Sequence, residues 1–176
     1  KKGEDSSWLV VDLGAQRTSF IMIVRGAVYF TSSIPFSSEN LNDAIAKSMG
    51  IDLKEAEIIK MQHGLGSIKD DPSLFNIMKP LLENLINEIQ KTLDFYKDIS
   101  RENSQINGVI LCGGGANLKG LVPYLTRRLE KETITGDPWV NMQLGDRVPI
   151  IAKEDSVRYS TAIGLALRGL YYEDYT

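Results

Sequence analysis

The chain has 176 residues, 43% of them apolar and 24% charged, enough for one ordinary domain with a real core. Its 20 Lys and Arg against 23 Asp and Glu leave a net charge of −3, which excludes the basic footprint of a nucleic-acid binder. One cysteine excludes an internal disulfide and suits a reducing compartment; no apolar run reaches the roughly 18 residues of a membrane span.

The opening Lys1-Lys2-Gly3-Glu4-Asp5-Ser6-Ser7 reads as a polar lead-in rather than a signal peptide. Residues 8–13 are predicted as a buried strand, Thr18 to Val24 as a second and Ala27 to Ile34 as a third, joined by short turns into an antiparallel meander. Helical spacing follows. Leu41, Ala44, Ile45 and Ser48 mark one helix, with Ser37, Ser38 or Asn40 as candidate caps and Gly50 as its stop. Asp52 to His63 reads as the next, with Leu53, Ala56, Ile58 and Ile59 facing inward and Gly64 ending it. A flexible stretch, 64–71, leads to a long helix whose stripe runs through Leu81, Leu82, Leu85, Ile86, Ile89, Leu93 and Tyr96. Proline fits poorly inside a helix, so Pro80 is expected near its first turn, with 74–79 a separate or kinked piece. Ile106 to Cys112 is a strand, Leu118 to Lys131 a helix opened by Asn117, Gly136 to Trp139 a turn, and Val157 to Leu170 the last helix. The expected fold class is α/β: a mixed sheet with an antiparallel three-strand meander and helices on its faces.

Two apolar runs stop at glycine turns. In Val11-Asp12-Leu13-Gly14-Ala15-Gln16-Arg17-Thr18, a carboxylate at a strand end can hold a hydrated divalent metal beside phosphates. Gly14 permits close backbone approach there, and the Thr18 hydroxyl can donate to phosphate oxygen. Asp and Gly are also ordinary turn formers, so the segment by itself reads as a plain hairpin. In Cys112-Gly113-Gly114-Gly115-Ala116-Asn117, backbone N–H groups beside a helix start suit an anion or a nucleotide's sugar and phosphate. A strand-to-helix turn that needs positive φ would look the same. No Gly-Lys-Ser/Thr follows, and Leu118 occupies the third glycine position of the dinucleotide fingerprint.

The order of these parts is that of the second half of actin-like nucleotide-binding proteins. Glu88-Ile89-Gln90-Lys91-Thr92-Leu93-Asp94-Phe95-Tyr96 resembles the Glu-Ile-x-Arg-Ser-Leu-x-x-Tyr helix of the PilM family of type IV pilus assembly proteins. Ile110 to Leu121 resembles that family's adenosine-side Gly-Gly-x-Ala-x-Leu-x-Gly-Leu motif, and Val11 to Gly14 its second phosphate motif. Ala56-Glu57-Ile58-Ile59-Lys60 is similar to the Ala-Glu-x-x-Lys helix shared with the division protein FtsA, and Ser160 to Ala166 to the helix that closes the fold. The resemblance runs in order across nearly the whole chain.

It implies one lobe of a ribonuclease-H-like, actin-like ATPase fold with ATP and Mg2+ in the cleft. The expectation is that 1–176 forms the second, C-terminal lobe, with a helical subdomain around 51–80, and that the first lobe lies upstream and is absent. By carry-over, Asp12, Gly14 and Thr18 face phosphate and metal, with Asp12 the metal ligand, and Arg17 is either a compensating charged donor to phosphate or a surface residue. Glu57 and Lys60 flank ribose and adenine, and Gly113, Gly114, Gly115, Ala116 and Asn117 line the nucleotide. Nucleotide binding is expected only with the missing lobe present. Ala15 and Gln16 stand where the wider superfamily has glycines, Ser37-Ser38 where the family has Gly-Gly, and Lys91 where it has Arg; these departures point away from efficient hydrolysis.

His63, near a helix end, reads as a cap or surface residue, and Cys112 as core. Trp139 and Met142 read as a packed turn in preference to a partner patch. Tyr171 to Thr176 does not resemble the basic amphipathic helix that ends FtsA-type proteins. The function so implied is an ATP-binding cytoplasmic adaptor at the inner face of the cytoplasmic membrane. It would serve type IV pilus or related secretion-system assembly, with no catalytic residue of its own. Its partners would be pilus assembly proteins of the inner-membrane platform, whose peptide groove lies on the other lobe. Self-association is a further expectation; nucleic acid and direct membrane insertion are not. The alternatives are an active actin-like ATPase or sugar-kinase relative and an FtsA-like division filament protein.

Overall fold

The computed structural model describes residues 6–66, 72–100, 105–140, 142 and 151–173, the side chains of 153, 154 and 170–173 excepted. The expected link at 67–71 and the tail end at 174–176 lie outside the described residues. Strands β1 (Ser7–Leu13), β2 (Thr18–Val24), β3 (Ala27–Ile34), β4 (Ile106–Cys112) and β5 (Glu132–Thr135) form one sheet in the order β3-β2-β1-β4-β5. The meander β1-β2-β3 is antiparallel, and β1, β4 and β5 run parallel. Parallel neighbours need crossovers. Helices α1 (Ser38–Met49), α2 (Leu53–His63) and α3 (Pro72–Ile99) lie between β3 and β4, and α4 (Leu121–Leu129) between β4 and β5. A short α5 (Lys153–Ser156), a 3-10 turn at Val157–Tyr159 and α6 (Ser160–Glu173) complete the described chain.

The register puts Leu9 beside Met22 and Val109, and Val11 beside Phe20 and Leu111. All six are buried, because alternation along paired strands collects one apolar face. Ile89, Leu93 and Tyr96 of α3 belong to the same buried cluster. The Tyr96 hydroxyl shares a 3.0 Å hydrogen bond with Ser7 Oγ, and its ring meets Tyr29 of β3 edge-on. On the opposite face Trp8, Val10, Ile21 and Ile110 are half-buried, and the Cys112 thiol meets the Ser160 hydroxyl at the start of α6. At one edge, β3 is exposed along most of its length.

Helix ends follow the chemistry of their residues. Ser37 caps α1, its hydroxyl accepting the Asn40 N–H at 3.2 Å, and Gly50 ends it at φ +69°. Asp52 caps α2 through the Glu55 N–H at 2.9 Å. Leu53 and Ile58, expected inside, are exposed instead; Ala56 and the Lys60 side chain take the buried positions of α2. Helix α4 is shorter than expected, because Gly114–Asn117 forms a 3-10 turn and Gly120, at φ +83°, delays the helix to Leu121. It is tied to α3 at Glu83, where the Tyr124 hydroxyl donates at 2.9 Å and Arg128 forms an ion pair. Burial, then that bond to Glu83, pushes the Tyr124 phenol up to about 12. Trp139 and Met142 are half-buried in a turn closed by the Met142 N–H to the Trp139 carbonyl at 2.9 Å. Among the described residues no helix is long and apolar enough to cross a membrane.

Pro80 does not mark the start of the long helix. It sits inside one continuous helix of 28 residues, with 74–79 part of it. Leu74 and Met78 before it, and Leu82 and Leu85 after it, form one buried stripe. Packing on both sides outweighs the one ladder bond that proline removes, and the exposed position leaves the freed carbonyl to water. Pro80→Ala is therefore expected to raise stability by about 1–3 kcal/mol, read from the midpoint of urea unfolding.

Candidate functional site

The carboxyl ends of β1 and β4 lie side by side, with Asp12 opposite Cys112. Gly113 follows at φ +77°, a conformation that side chains other than glycine rarely adopt. A Cβ there would collide with Asp12 Oδ1 and lie 2.6 Å from the Leu13 carbonyl oxygen. Gly115 is also confined, though less tightly, since its Cβ would lie 2.9 Å from Leu13 Cβ. Gly114 differs. Its φ is outside the left-handed region, and a Cβ would meet only Arg158 Cγ at 3.9 Å. The Gly113 N–H donates to the Val157 carbonyl at 3.2 Å, which fastens the segment before α6 to this loop.

Between β1 and β2, Gly14 to Arg17 form a tight loop closed by the Gly14 N–H to the Arg17 carbonyl at 3.1 Å. The first turn of α1 grips it from outside. Ser38 N–H donates to the Gly14 carbonyl and Glu39 N–H to the Ala15 carbonyl, both at 3.1 Å. Helix N–H groups that lack an intrahelical partner are thereby satisfied.

A cavity of about 840 Å³ opens beside these loops, outside the carboxyl ends of the parallel strands. Leu13 lines it from β1, Ala15 from the β1–β2 loop, Ser38 from α1, Glu57 and Lys60 from α2, and Gly114 to Asn117 from the glycine loop. The end of α2 docks on that loop, with Leu65 N–H donating to the Lys119 carbonyl at 2.8 Å and Lys119 Nζ to the Gln62 carbonyl at 2.9 Å. Lys60 is only 6% exposed. Its ammonium donates to Ser38 Oγ at 2.7 Å and to the Ser38 carbonyl at 3.1 Å. Burial lowers the Lys60 pKa below the usual 10.5, and the Glu57 carboxylate opposes that shift.

Six of the residues singled out in the sequence thus meet at one cavity: Glu57, Lys60, Gly114, Gly115, Ala116 and Asn117. Asp12, Gly14, Arg17, Thr18 and Gly113 are not among its lining residues. Asp12 is half-buried at the neighbouring strand end, where burial raises its pKa above 3.8. Thr18 is fully buried, and its hydroxyl donates to the Phe36 carbonyl at 2.9 Å, so that proton is committed within the chain. Arg17 is exposed and donates to Ser33 Oγ on β3 at 2.8 Å. Among the described residues no three His, Cys, Asp or Glu side chains gather as a metal cluster. Asp12 offers a single carboxylate, a donor set that suits Mg2+ sharing its shell with water and phosphate. The sequence alone does not reveal Arg158, Asp155 and Lys119 in the cavity wall, and it offers Ser38 only as a candidate cap and as a departure from the family's glycine pair.

Solved structures share this build. MreB 5 of Spiroplasma citri bound to AMPPNP matches with a TM-score of 0.71 at 16% identity, over 97% of this chain and 55% of that one. The PilM-PilN type IV pilus biogenesis complex matches with a TM-score of 0.76 at 27% identity, over 94% of this chain and 46% of that one. The fold is that of the actin-like ATPases. Among curated relatives, the cell division protein FtsA of Neisseria meningitidis serogroup B is 26% identical over 92% of this chain and 42% of its own length. The chain therefore spans less than half of that relative. The model of the type IV pilus assembly protein PilM family matches residues 1–170, and the chain belongs to that family.

Two tests follow from the loop geometry. Gly113→Ala is expected to lose about 2 kcal/mol or more in chemical denaturation, through strain and overlap, while Gly114→Ala stays within about 0.5 kcal/mol of wild type. Asp12 binds its proton more tightly folded than unfolded, so it lowers stability as pH rises from 3.8 through its folded value. Asp12→Asn should accordingly stabilise the fold at neutral pH and lose that advantage at acid pH, where Asp12 is protonated in both states. Denaturation midpoints across the pH range measure this.

Proposed function

We propose that this chain supplies the adenosine side and the second phosphate element of a two-lobed ATP clamp. In a longer protein it would act as a cytoplasmic adaptor in type IV pilus assembly, at the inner face of the membrane. Its partners would be pilus assembly proteins, a class that the name of the PilM-PilN type IV pilus biogenesis complex supports. We place them on the inner-membrane platform, seated on the other lobe. Family membership supports the pilus role, and the coverage of about half of each matched protein supports the one-lobe reading.

One observation carries the nucleotide reading. Gly114 is the glycine of its loop that the chain itself does not require, and it lines the cavity together with Glu57, Lys60 and Asn117. A bare backbone at such a wall suits a flat base or a sugar approaching closely. Glu57 and Lys60 offer an acceptor and a donor for ribose hydroxyls, and the 3-10 turn at 114–117 lines the same space. Asp12 would hold Mg2+, which when bound supplies charge neutralisation for the phosphates. Arg17 spends one N–H on Ser33 and keeps others, whereas Thr18, with its one hydroxyl proton engaged at Phe36, does not serve as a phosphate donor without rearranging. That favours a conformational ligand over rapid turnover.

Calorimetric titration of Mg-ATP into the full-length natural protein tests this. Binding is expected in the micromolar range, with at least a tenfold loss in Asp12→Ala and in Gly114→Val. Wild-type binding without steady hydrolysis would support the adaptor. Absence of binding would remove nucleotide from the account, and fast turnover would make the protein an ATPase.

A further inference from the structure

Ser38 makes contacts that reach two parts of the site. Its N–H donates to the Gly14 carbonyl of the β1–β2 loop at 3.1 Å. Its hydroxyl and carbonyl accept the Lys60 ammonium at 2.7 and 3.1 Å. The adjoining Glu39 N–H reaches the Ala15 carbonyl. So the α2 wall, which carries Glu57 and Lys60, is joined to the loop that follows Asp12 through the first turn of α1.

The strength of these links is uneven in a useful way. An ammonium as buried as Lys60 must stay hydrogen-bonded, and a bond from a charged donor is stronger than one between neutral groups. Two of the three Lys60 donors go to Ser38. An acceptor that enters the cavity would meet the same ammonium, because Lys60 lines it. A hydroxyl at position 38 is not needed to start α1, because Ser37 already caps that helix. In the resembled pattern this pair is Gly-Gly, which has no side chain to receive the ammonium.

We propose that Ser38 is a positioning residue that couples the two sides of the site. An acceptor that engages Lys60, such as a ribose hydroxyl, immobilises the ammonium; the ammonium immobilises Ser38; and Ser38, with Glu39, immobilises the loop carbonyls of Gly14 and Ala15. Occupancy on the sugar side then orders the loop beside Asp12, and phosphate or metal meets a loop already set. The identity of the ligand rests on the nucleotide reading above, whereas the linkage rests on the bonds of Ser38 alone.

The test is amide hydrogen exchange on the full-length natural protein, with and without adenosine, which has no phosphate. Without ligand, Ser38→Ala and Lys60→Met should each speed exchange at the Gly14 and Glu39 amides by about 5- to 10-fold. The double variant should be no faster than Lys60→Met, because both changes cut one linkage. Amides of Val11 and Val109 in the sheet should be unchanged, which shows the fold intact. Ser38→Thr, which keeps a hydroxyl, should behave as wild type. With adenosine, wild type should show added protection at Gly14. Ser38→Ala should bind adenosine more weakly in calorimetry and, at saturating adenosine, show no added protection at that amide, a split that a purely structural serine would not produce. Unchanged ligand-free exchange in both single variants, or Gly14 protection that persists in Ser38→Ala, overturns the proposal. Faster ligand-free exchange in a protein that binds no adenosine would uphold the linkage and remove the nucleotide reading.

Discussion

Everything at the site hangs from the parallel pairing of β1 with β4. That pairing sets Asp12 level with Cys112 and so brings two turns, one following each strand, to the same edge of the sheet. Once they are level, Gly113 has no room for a side chain: Asp12 Oδ1 and the Leu13 carbonyl fill the place where one would stand. Gly115 is also confined against Leu13, though less tightly. Two of the three consecutive glycines are thus consequences of strand register. The third, Gly114, is left facing the cavity, and for that reason it is the one that speaks of function.

The polar groups around the cavity divide by energetics. Lys60 is buried, and burial penalises its charge, a cost offset by Ser38 and by the field of Glu57. Asp12 is half-buried, and its carboxylate is disfavoured for the same reason. A fold selected only for stability would remove both groups; sites that bind or react commonly retain such penalties. Exposed pairs such as Lys91 with Glu88 and Lys97 with Asp94 on α3 are worth far less, because water and salt screen them.

Much of this architecture was legible in the residues. The strands at 18–24, 27–34 and 106–112 fall where β-branched and apolar runs meet turn formers, and α1 and α2 stop at the glycines that end their periodicity. The readings that failed share a physical cause. Leu53 and Ile58 lie outside, and Lys60 inside, because α2 is oriented by what its ends bind rather than by an apolar stripe of its own. Pro80 lies inside α3 against its local preference, because the packing of Leu74 and Met78 outweighs that preference. At the site, the glycine loop is legible from its own residues, Glu57 and Lys60 only through a family resemblance, and they share one cavity. The engagement of Thr18 with Phe36, and the place of Arg158 beside Gly114, depend on contacts between segments distant in sequence, which no local pattern encodes.

The distance along the chain between the two turns has one more consequence. The Ser7 N–H bonds the Asn107 side chain across a separation of 100 residues, and Ser7 Oγ meets Tyr96 across 89. Closing so long a loop is entropically costly and is repaid only when β1 and β4 lie together. The meander can form from neighbouring residues alone, but the cavity cannot exist in any partly folded state in which β4 has not joined β1. A molecule held there would therefore count every turnover of the whole domain: it has nothing to hold until folding is finished, and it must leave before unfolding can begin.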